Sequence, residues 1–258
     1  MKNIILSFDD AREDFYTRAY PLLKEKNLTA TLNVTSGFVL NPEKFIQFRS
    51  GDNRAMTPEN VVECQKNGIE IALHGSMHLN TKQDVLQNID ELKSMGVNVD
   101  NIGFASPCSH ITFENKNADG IWDLIIKMGG YIRSGRQLRR EGLFYTFCSV
   151  LDSIIHSKYL FRYLNKRNII KDMKEPFFLS VAIYSYTTIA QIKSLIKSMP
   201  NNSSVILMFH SILKITDKGY GVDKWYWEEN KFSNLLDFLN NEKSINVCST
   251  KDLLSIKK

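Results

Sequence analysis

Apolar residues occur along the chain in short runs separated by segments with helical spacing. The runs are rich in β-branched residues and predict buried strands. They lie at 4–8, 29–35, 69–73, 101–105, 130–133, 177–184, 204–209 and 245–248. Between them, apolar residues three and four positions apart predict helices, as in 84–95 through Val85, Ile89 and Leu92. Strand and helix alternate about seven or eight times, which predicts parallel strands joined by helical crossovers and hence an α/β fold.

Polar and ionisable residues stand at or just beyond the ends of many predicted strands. Parallel strands in a barrel place their carboxyl ends on one face, where enzymes of this architecture build their active sites. The sequence therefore predicts that these side chains share one site. They are Asp9, Asp10, His74, Ser106, Arg136, Tyr186 and His210.

The first strand ends in two adjacent carboxylates, Asp9 and Asp10. Like charges at the end of a buried strand repel each other, so a cation is expected beside them. One aspartate together with His74 and His78 offers three nitrogen and oxygen donors and leaves a coordination position for water. That is the donor pattern of a catalytic zinc site, and the other carboxylate would then be free to act as a base.

Three segments, in this order, resemble the first, second and last motifs of the polysaccharide deacetylases, carbohydrate esterase family 4. The likeness is densest over residues 1–110 and returns at 204–211. It implies a distorted (β/α) barrel of about seven parallel strands and metal-dependent removal of acetyl groups from sugars. The segments are Ser7-Phe8-Asp9-Asp10, His74-Gly75-Ser76-Met77-His78 and Leu207-Met208-Phe209-His210-Ser211.

The resemblance also implies a role for each matching residue. Asp10, His74 and His78 match the ligands of a divalent ion, for which zinc is the first choice. Asp9 matches the general base and His210 the general acid. The segment Ser106-Pro107-Cys108 is similar to the third motif, which would make the backbone NH of Cys108 a donor to the oxyanion.

Two features of that family pattern are missing. The third motif commonly begins with an arginine that orients the base, but the chain has Phe104-Ala105 there. Our hypothesis is that Arg136 reaches Asp9 from the next strand end; the alternative is a solvated basic edge made by Arg133, Arg136, Arg139 and Arg140. No fourth motif is found, so the partner of His210 is unassigned.

Aromatic and polar residues near the expected site are candidates for contacting a sugar. Trp225 and Trp227 could stack on sugar rings, although a lid or core position is an equal alternative for both. We predict that the substrate-binding residues are Ser106, Pro107, Tyr186, Trp225 and Trp227.

The length of 258 residues suits one α/β barrel, so we expect a single polysaccharide-deacetylase-like catalytic domain over 1–258. A segment near 138–174 breaks the alternation by mixing aromatic and basic residues, and it predicts a helical insertion. The four cysteines form no CxxC pair and predict free buried thiols. The chain starts without a leader or membrane span, which predicts a cytoplasmic protein with at most peripheral membrane contact.

We therefore expect a deacetylase of N-acetylated sugars, acting on a poly- or oligosaccharide of the cell envelope or its precursor, with a lipid-linked precursor among the candidates. The alternative is a catalytically impaired relative that only binds glycans. The net charge of +5 is mild, and no recognisable module supports a nucleic-acid binder. The sugar, the choice between amide and ester, the physiological metal and the oligomeric state stay open.

Overall fold

The computed structural model describes residues 1–48, 54–136, 141–171 and 173–256. The predicted insertion near 138–174 and the arginines at 139 and 140 therefore lie partly or wholly outside the described residues. The strands are β1 Lys2–Phe8, β2 Thr31–Val34, β3 Glu70–Leu73, β4 Phe104–Ala105, β5 Ile132–Gly135, β6 Phe177–Ala182, β7 Ser204–Phe209, β8 Ser211–Leu213, β9 Tyr226–Glu228 and β10 Ile245–Val247.

Helices connect the strands and surround them. The α-helices are α1 Tyr20–Glu25, α2 Ser36–Leu40, α3 Pro42–Phe48, α4 Pro58–Lys66, α5 Lys82–Ser94, α6 Ile121–Lys127, α7 Leu143–Ile155, α8 Lys158–Asn165, α9 Ile189–Ser198 and α10 Glu229–Asn241. A π-helical stretch, Phe15–Ala19, leads directly into α1. The capping side chains of Thr57, Thr81 and Thr188 begin α4, α5 and α9.

Strands β1 to β7 form a closed barrel in which every neighbouring pair is parallel. The barrel closes where β1 pairs with β7 along Asn3 to Phe8, and β10 extends the sheet beside the start of β1. The prediction of an α/β barrel of about seven parallel strands is confirmed. Since all seven strands run the same way, their carboxyl ends meet at one mouth.

Aromatic packing fixes the end of β1 just below this mouth. The ring of Phe8 contacts those of Phe15, Phe209 and Phe232, with centroids 4.8, 5.2 and 5.7 Å apart. All four side chains are buried. Burial of rings this size contributes strongly to stability, so the two aspartates that follow Phe8 stand on a rigid base.

Strand β5 begins two residues later than the sequence predicted. Gly129 has a positive φ of 74°, and a Cβ on Gly130 would lie 2.0 Å from the carbonyl oxygen of Ile102. Both glycines therefore belong to the turn that enters the strand rather than to the strand itself. Arg133, the last residue of the predicted strand, is the second residue of β5, and its side chain is 1% exposed.

The segment after β7 contains a short parallel pair that the sequence did not predict. Strand β8 follows His210 and pairs with β9, and the backbone NH of Ser211 donates to the carbonyl of Trp225 at 3.2 Å. The pairing folds the 214–225 loop back over the barrel mouth, so that Trp225 lies next to His210.

All four cysteines are free thiols, and Cys64, Cys148 and Cys248 are buried as expected. Cys108 is exposed, which corrects the prediction for that residue. It lies in the short 3-10 turn Pro107–Ser109 that borders the cavity, with a left-handed backbone conformation. Within the described ranges, every helix is too short or too polar to cross a membrane.

Candidate active site

A cavity of about 850 Å³ opens at the carboxyl ends of the barrel strands. Asp9 and Asp10 follow β1, His74 follows β3, Ser106 follows β4 and His210 follows β7, and all five line this cavity. Several loop residues around it have left-handed backbone conformations, which are costly for residues other than glycine and concentrate at functional sites. These are Asp10, Ala11, His78, Cys108 and Ser109, with φ between 50° and 76°.

Asp10, His74 and His78 point their donor atoms at a common point. Oδ1 of Asp10 lies 3.4 Å from Nε2 of His74 and 3.6 Å from Nε2 of His78, and the three donor atoms all lie within 4.8 Å of one another. Ligands about 2.0–2.2 Å from one ion in tetrahedral geometry are about 3.3–3.6 Å apart. One carboxylate and two imidazoles therefore fit a divalent cation.

Hydrogen bonds hold the first histidine in the orientation that a metal ligand requires. Nδ1 of His74 lies 2.7 Å from the carbonyl oxygen of Ala105, so it carries the proton and leaves Nε2 as the acceptor. Burial lowers the pKa of His74, but Asp9 and Asp10 outweigh burial and raise it above its usual value. Burial, assisted by His74, lowers the pKa of His78 to about 4. Asp9 and Asp10 therefore favour a single positive charge at the position where the three donor atoms meet.

Arg12 fixes the outer oxygen of Asp10. Its Nε and Nη2 donate to Oδ2 of Asp10 at 2.9 and 2.6 Å, while Nη1 donates to Ser211 Oγ at 2.7 Å. Burial by itself would raise the pKa of Asp10, but Arg12 and His74 bring it well below its usual value. The paired oxygen orients the carboxylate so that Oδ1 faces the histidines.

Asp9 is held from the opposite side by two residues of the barrel wall. Nδ2 of Asn33 donates to Oδ1 of Asp9 at 2.8 Å, and Nη2 of Arg133 forms a close ion pair with the same oxygen. Oδ2 lies 3.9 Å from Nε2 of His74. Burial would raise the pKa of Asp9, but the Arg133 guanidinium lowers it, with His74 and His210 adding to the effect. Asp9 is therefore an ionised carboxylate with one oxygen turned toward the proposed metal position.

The hypothesis that Arg136 pairs with Asp9 is wrong about the residue. Arg136 forms an ion pair with Glu141 and donates to the carbonyl of Leu164, at the rim of the cavity. Arg133 lies within β5 and is buried, whereas Arg136 lies beyond the strand end. The alternative of a solvated edge also fails for Arg133, since that side chain is buried.

His210 lies across the cavity against Trp225, with ring centroids 4.4 Å apart. Burial and the nearby Arg12 lower the pKa of His210 to about 4. Its Nδ1 is buried, and no described residue forms a hydrogen bond with it. The carboxylate partner that the sequence left unassigned is therefore not among the described residues.

The loop after β4 takes part in the site through a subset of its predicted residues. Cys108 lines the cavity with φ 51° and ψ 18°. Ser106 also lines it, but its hydroxyl donates to Oδ1 of Asn80 at 2.7 Å and accepts from the NH of Ile111 at 2.9 Å. Pro107 is buried and is not among the described residues that line the cavity. Its carbonyl oxygen accepts a hydrogen bond from Asn80. Its predicted substrate contact is corrected.

The two tryptophans have different positions. Trp225 and Tyr186 line the cavity, and each packs on the ring of Tyr184, with centroids 4.9 and 5.2 Å apart. Trp227 is fully buried in the core, and its Nε1 donates to the carbonyl of Thr187 at 2.8 Å. The prediction that Trp227 contacts substrate is therefore wrong, because its alternation in β9 turns it away from the cavity.

Part of this site lies in a stretch that matches a known family. Residues 1–110 match the family model described as polysaccharide deacetylase. The matched stretch carries Asp9, Asp10, His74, His78 and Cys108, and the resemblance to this family is confirmed. No curated protein matches the chain.

Solved structures of low sequence identity share the fold of this chain. A family 4 carbohydrate esterase from Bacillus anthracis has a TM-score of 0.53 at 14% identity, covering 98% of this chain and 83% of its own. A family 4 acetyl xylan esterase from Clostridium thermocellum, solved with a cobalt ion, has a TM-score of 0.52 at 11% identity, covering 98% and 91%. Peptidoglycan deacetylase PdaC from Bacillus subtilis has a TM-score of 0.51 at 13% identity, covering 99% and 91%.

Three residues of the candidate site were missed by sequence reasoning: Arg12, Asn33 and Arg133. Arg133 offered a signal, because an arginine inside a buried strand needs a carboxylate partner. Asn33 offered a weaker one, as an amide within the alternating strand 29–35. Arg12 offered none, since it reaches Asp10 only through the left-handed turn at Asp10 and Ala11.

Proposed function

We propose that this protein is a metal-dependent hydrolase that removes acetyl groups from N-acetylated sugar residues of a poly- or oligosaccharide. One observation carries the proposal. An ionised carboxylate, Asp9, is held by Arg133 and Asn33 beside the cluster of Asp10, His74 and His78, and all of these except Asn33 and Arg133 line one cavity. The family match over residues 1–110 supports deacetylation of glycans as the general activity, and the metal, the residue roles and the bond cleaved are likewise our proposal.

Asp10, His74 and His78 would hold the divalent ion, and their donor set is suited to zinc. When bound, such an ion acts as a Lewis acid toward the acetyl carbonyl and lowers the pKa of a coordinated water to about 7. The chain contributes the orientation of these ligands, through Ala105 on His74 and Arg12 on Asp10.

Asp9 is the general base in this proposal. Its Oδ1 is occupied by Arg133 and Asn33, so Oδ2 is the oxygen that accepts the proton of the attacking water. The backbone NH of Cys108 is the proposed donor to the oxyanion that develops on the acetyl group, a contribution of about 10²–10³ in rate at comparable sites.

His210 is the proposed acid for the departing amine. Its pKa of about 4 means that the ring is neutral at neutral pH in the free protein. It must therefore gain a proton during the reaction before it can give one to the sugar nitrogen, and the proton that Asp9 removes from water can supply this need. An amide requires such a transfer because an amine leaves poorly as an anion; general acid catalysis contributes about 10²–10⁴ in rate.

The walls of the cavity suit a sugar chain. Trp225, Tyr184 and Tyr186 offer aromatic faces, while Asp223 and Lys224 offer charged groups that can bind hydroxyls. We propose Ser106, Tyr186 and Trp225 as the substrate-binding residues retained from the sequence prediction. The substrate that we favour is a lipid-linked envelope precursor, for which the outer surface of α7 is argued below.

Acetate release from N-acetylglucosamine oligomers tests the proposal. We expect release by the zinc-loaded protein, no release after chelation, and recovery when zinc is returned. Asp9→Asn should lower turnover by about 10²-fold or more while zinc remains bound. O-acetylated xylan oligomers in the same assay decide between amide and ester. Binding of the oligomers without release of acetate from either would favour the impaired glycan-binding relative instead.

We also propose a cytoplasmic location. The free thiols of Cys64, Cys148 and Cys248 support it, because disulfides are rare in reducing compartments. Cell fractionation with an antibody against the protein is the direct test, and recovery in the extracellular fraction would contradict the location.

A further inference from the structure

Helix α7 turns polar side chains toward the cavity and large apolar side chains toward solvent, which is the reverse of an ordinary surface helix. Thr146, Ser149, Asp152 and Ser153 line the active-site cavity. The outward side of the helix carries large apolar side chains at spacings of four, three and four residues, a single stripe along the helix. These are Leu143, Phe147, Val150 and Ile154, which are 89%, 64%, 50% and 68% exposed, and Val150 also borders the cavity.

Neighbouring aromatic side chains widen this apolar stripe. Phe144 and Ile155 on α7 are 61% and 54% exposed, and Tyr159 at the start of α8 is 77% exposed. The ring of Phe144 lies 6.3 Å from that of Tyr163 on α8. Monomeric proteins in water rarely present a contiguous patch of this kind, and such patches mark contacts with proteins or membranes. We call this set of residues on α7 and α8 the outer face.

Positive charge accompanies the outer face. Residues 143–168 carry four basic side chains and a single acidic one, Asp152, which is buried on the cavity side. Several of the cations pack on tyrosines at the margin of the outer face, with Lys166 Nζ 4.8 Å from the ring centre of Tyr163 and Arg162 4.9 Å from that of Tyr159. The four cations are Lys158, Arg162, Lys166 and Arg167.

We propose that the outer face docks on an anionic phospholipid membrane, with α7 lying along the bilayer surface. An apolar stripe with aromatic and basic residues at its margin is the composition of an interfacial helix. Tyrosine and basic side chains favour the headgroup region, because the apolar part of the side chain can lie against the lipid while its polar end stays in water.

This inference rests on the proposed function for its substrate. Because residues of α7 line the cavity, docking of the outer face holds the cavity close to the bilayer. A glycan attached to a membrane lipid could then enter the site while its lipid stays in the membrane. The substrate class is therefore an N-acetylated sugar on a lipid carrier.

The charges favour a membrane over a second copy of the chain. Two outer faces brought together would set four cations against four like charges, which opposes association. An anionic headgroup layer instead attracts each basic residue near the surface. The two occupants also differ in their response to salt and to protein concentration, which the experiment uses.

The test is sedimentation of the full chain with vesicles of phosphatidylcholine alone or with 30% phosphatidylglycerol. We expect binding to the anionic vesicles that weakens at least tenfold in 0.5 M salt. The double variant Phe147→Asp with Ile154→Asp should bind at least tenfold more weakly. Lys158→Glu with Arg162→Glu should also bind more weakly. Ile215→Asp and Lys243→Glu are matched controls on other exposed surfaces and should bind like the parent.

We expect all variants to fold, because the changed side chains are at the surface. Their melting temperatures check this expectation. The docking proposal is overturned if anionic vesicles bind no protein or if the apolar double variant binds normally. It is also overturned if the chain dimerises through the outer face as the protein concentration rises. Vesicle binding requires no turnover, whereas release of acetate from water-soluble oligomers requires no membrane. Failure of docking and failure of the proposed activity are thus separate results, and the Phe147 and Ile154 variants should keep the activity on soluble oligomers.

Discussion

The ion pair between Arg133 and Asp9 gives the sharpest test of the site. Both side chains are nearly inaccessible to water, with 1% and 4% exposure. Arg133→Met removes the charge but keeps most of the volume, which leaves the carboxylate buried opposite an apolar side chain. Removing one partner of a buried pair typically costs about 3–5 kcal/mol of folding stability.

Arg136→Met is the matched control. Arg136 pairs with Glu141, whose side chain is 26% exposed, so water can solvate that carboxylate once the arginine is gone. We expect a smaller loss for this variant than for Arg133→Met, because it leaves no fully buried charge without a partner. Urea denaturation at pH 7, extrapolated linearly to water, compares the two.

Asp9→Asn completes a double-mutant cycle with Arg133→Met. With both charges removed, the double variant should be more stable than the sum of the single losses predicts, by about 1–3 kcal/mol. The pKa of Asp9 is lowered in the folded protein, so the pair stabilises the fold above the carboxyl's usual pKa and is lost as the pH falls through the lowered value. The deficit of Arg133→Met should therefore shrink in acid.

The turnover of these variants separates orientation from stability. Arg133→Met should lose about 10²-fold in acetate release while it keeps its zinc, because a displaced base is no longer aligned. Equal losses of stability in Arg133→Met and Arg136→Met, or strict additivity in the cycle, would refute the assignment of Arg133 as the residue that positions the base.

Three further results are expected. Chelation should lower the melting temperature as well as abolish acetate release, because a bound ion stabilises the folded state by mass action; an unchanged melting curve would count against the Asp10, His74 and His78 site. Arg12→Ala should weaken zinc binding about 10–100-fold in a competition assay, since Arg12 orients Asp10, and zinc affinity equal to the parent's would exclude that role. Burial raises the pKa of Asp152 to about 6, so the contribution of this carboxyl to stability should decline as the pH rises from about 4 to 6; Asp152→Asn should lack this part of the slope and be more stable than the parent above pH 6, and an equal difference in urea midpoint between parent and variant at pH 4.5 and 7.5 would contradict it.

The barrel was predictable because its signal is repeated along the chain. Each buried strand is a compact apolar run, and the order of strands and helices leaves few other topologies. Short strands were less predictable: β4 has two residues, Phe104 and Ala105, although the sequence predicted five at 101–105. The pair of β8 and β9 lacks an apolar run of its own and depends on tertiary contacts.

The candidate site was predictable where its residues stand at strand ends. Asp9, Asp10, His74 and His210 were expected to meet for that reason, and the structure brings them together around one cavity. Arg133 was missed because the alternation in so short a strand allows its side chain to face either into the barrel or outward, and the sequence alone does not decide between the two. The likeness to the family indicated that the arginine of the third motif was missing, but not which strand supplies an arginine in its place.

Closure of the barrel through β1 and β7 has a consequence for synthesis of the protein. Arg12 donates to Ser211, a residue 199 positions away, and β1 has its longest pairing with β7. During translation, the first strand must wait for about three quarters of the polypeptide before its main neighbour exists. Contacts between such distant residues form slowly. The acidic and histidine side chains of the site are therefore synthesised long before the pocket around them can form. A ribosome-bound fragment ending before β7 should bind chaperones and lack enzymatic activity.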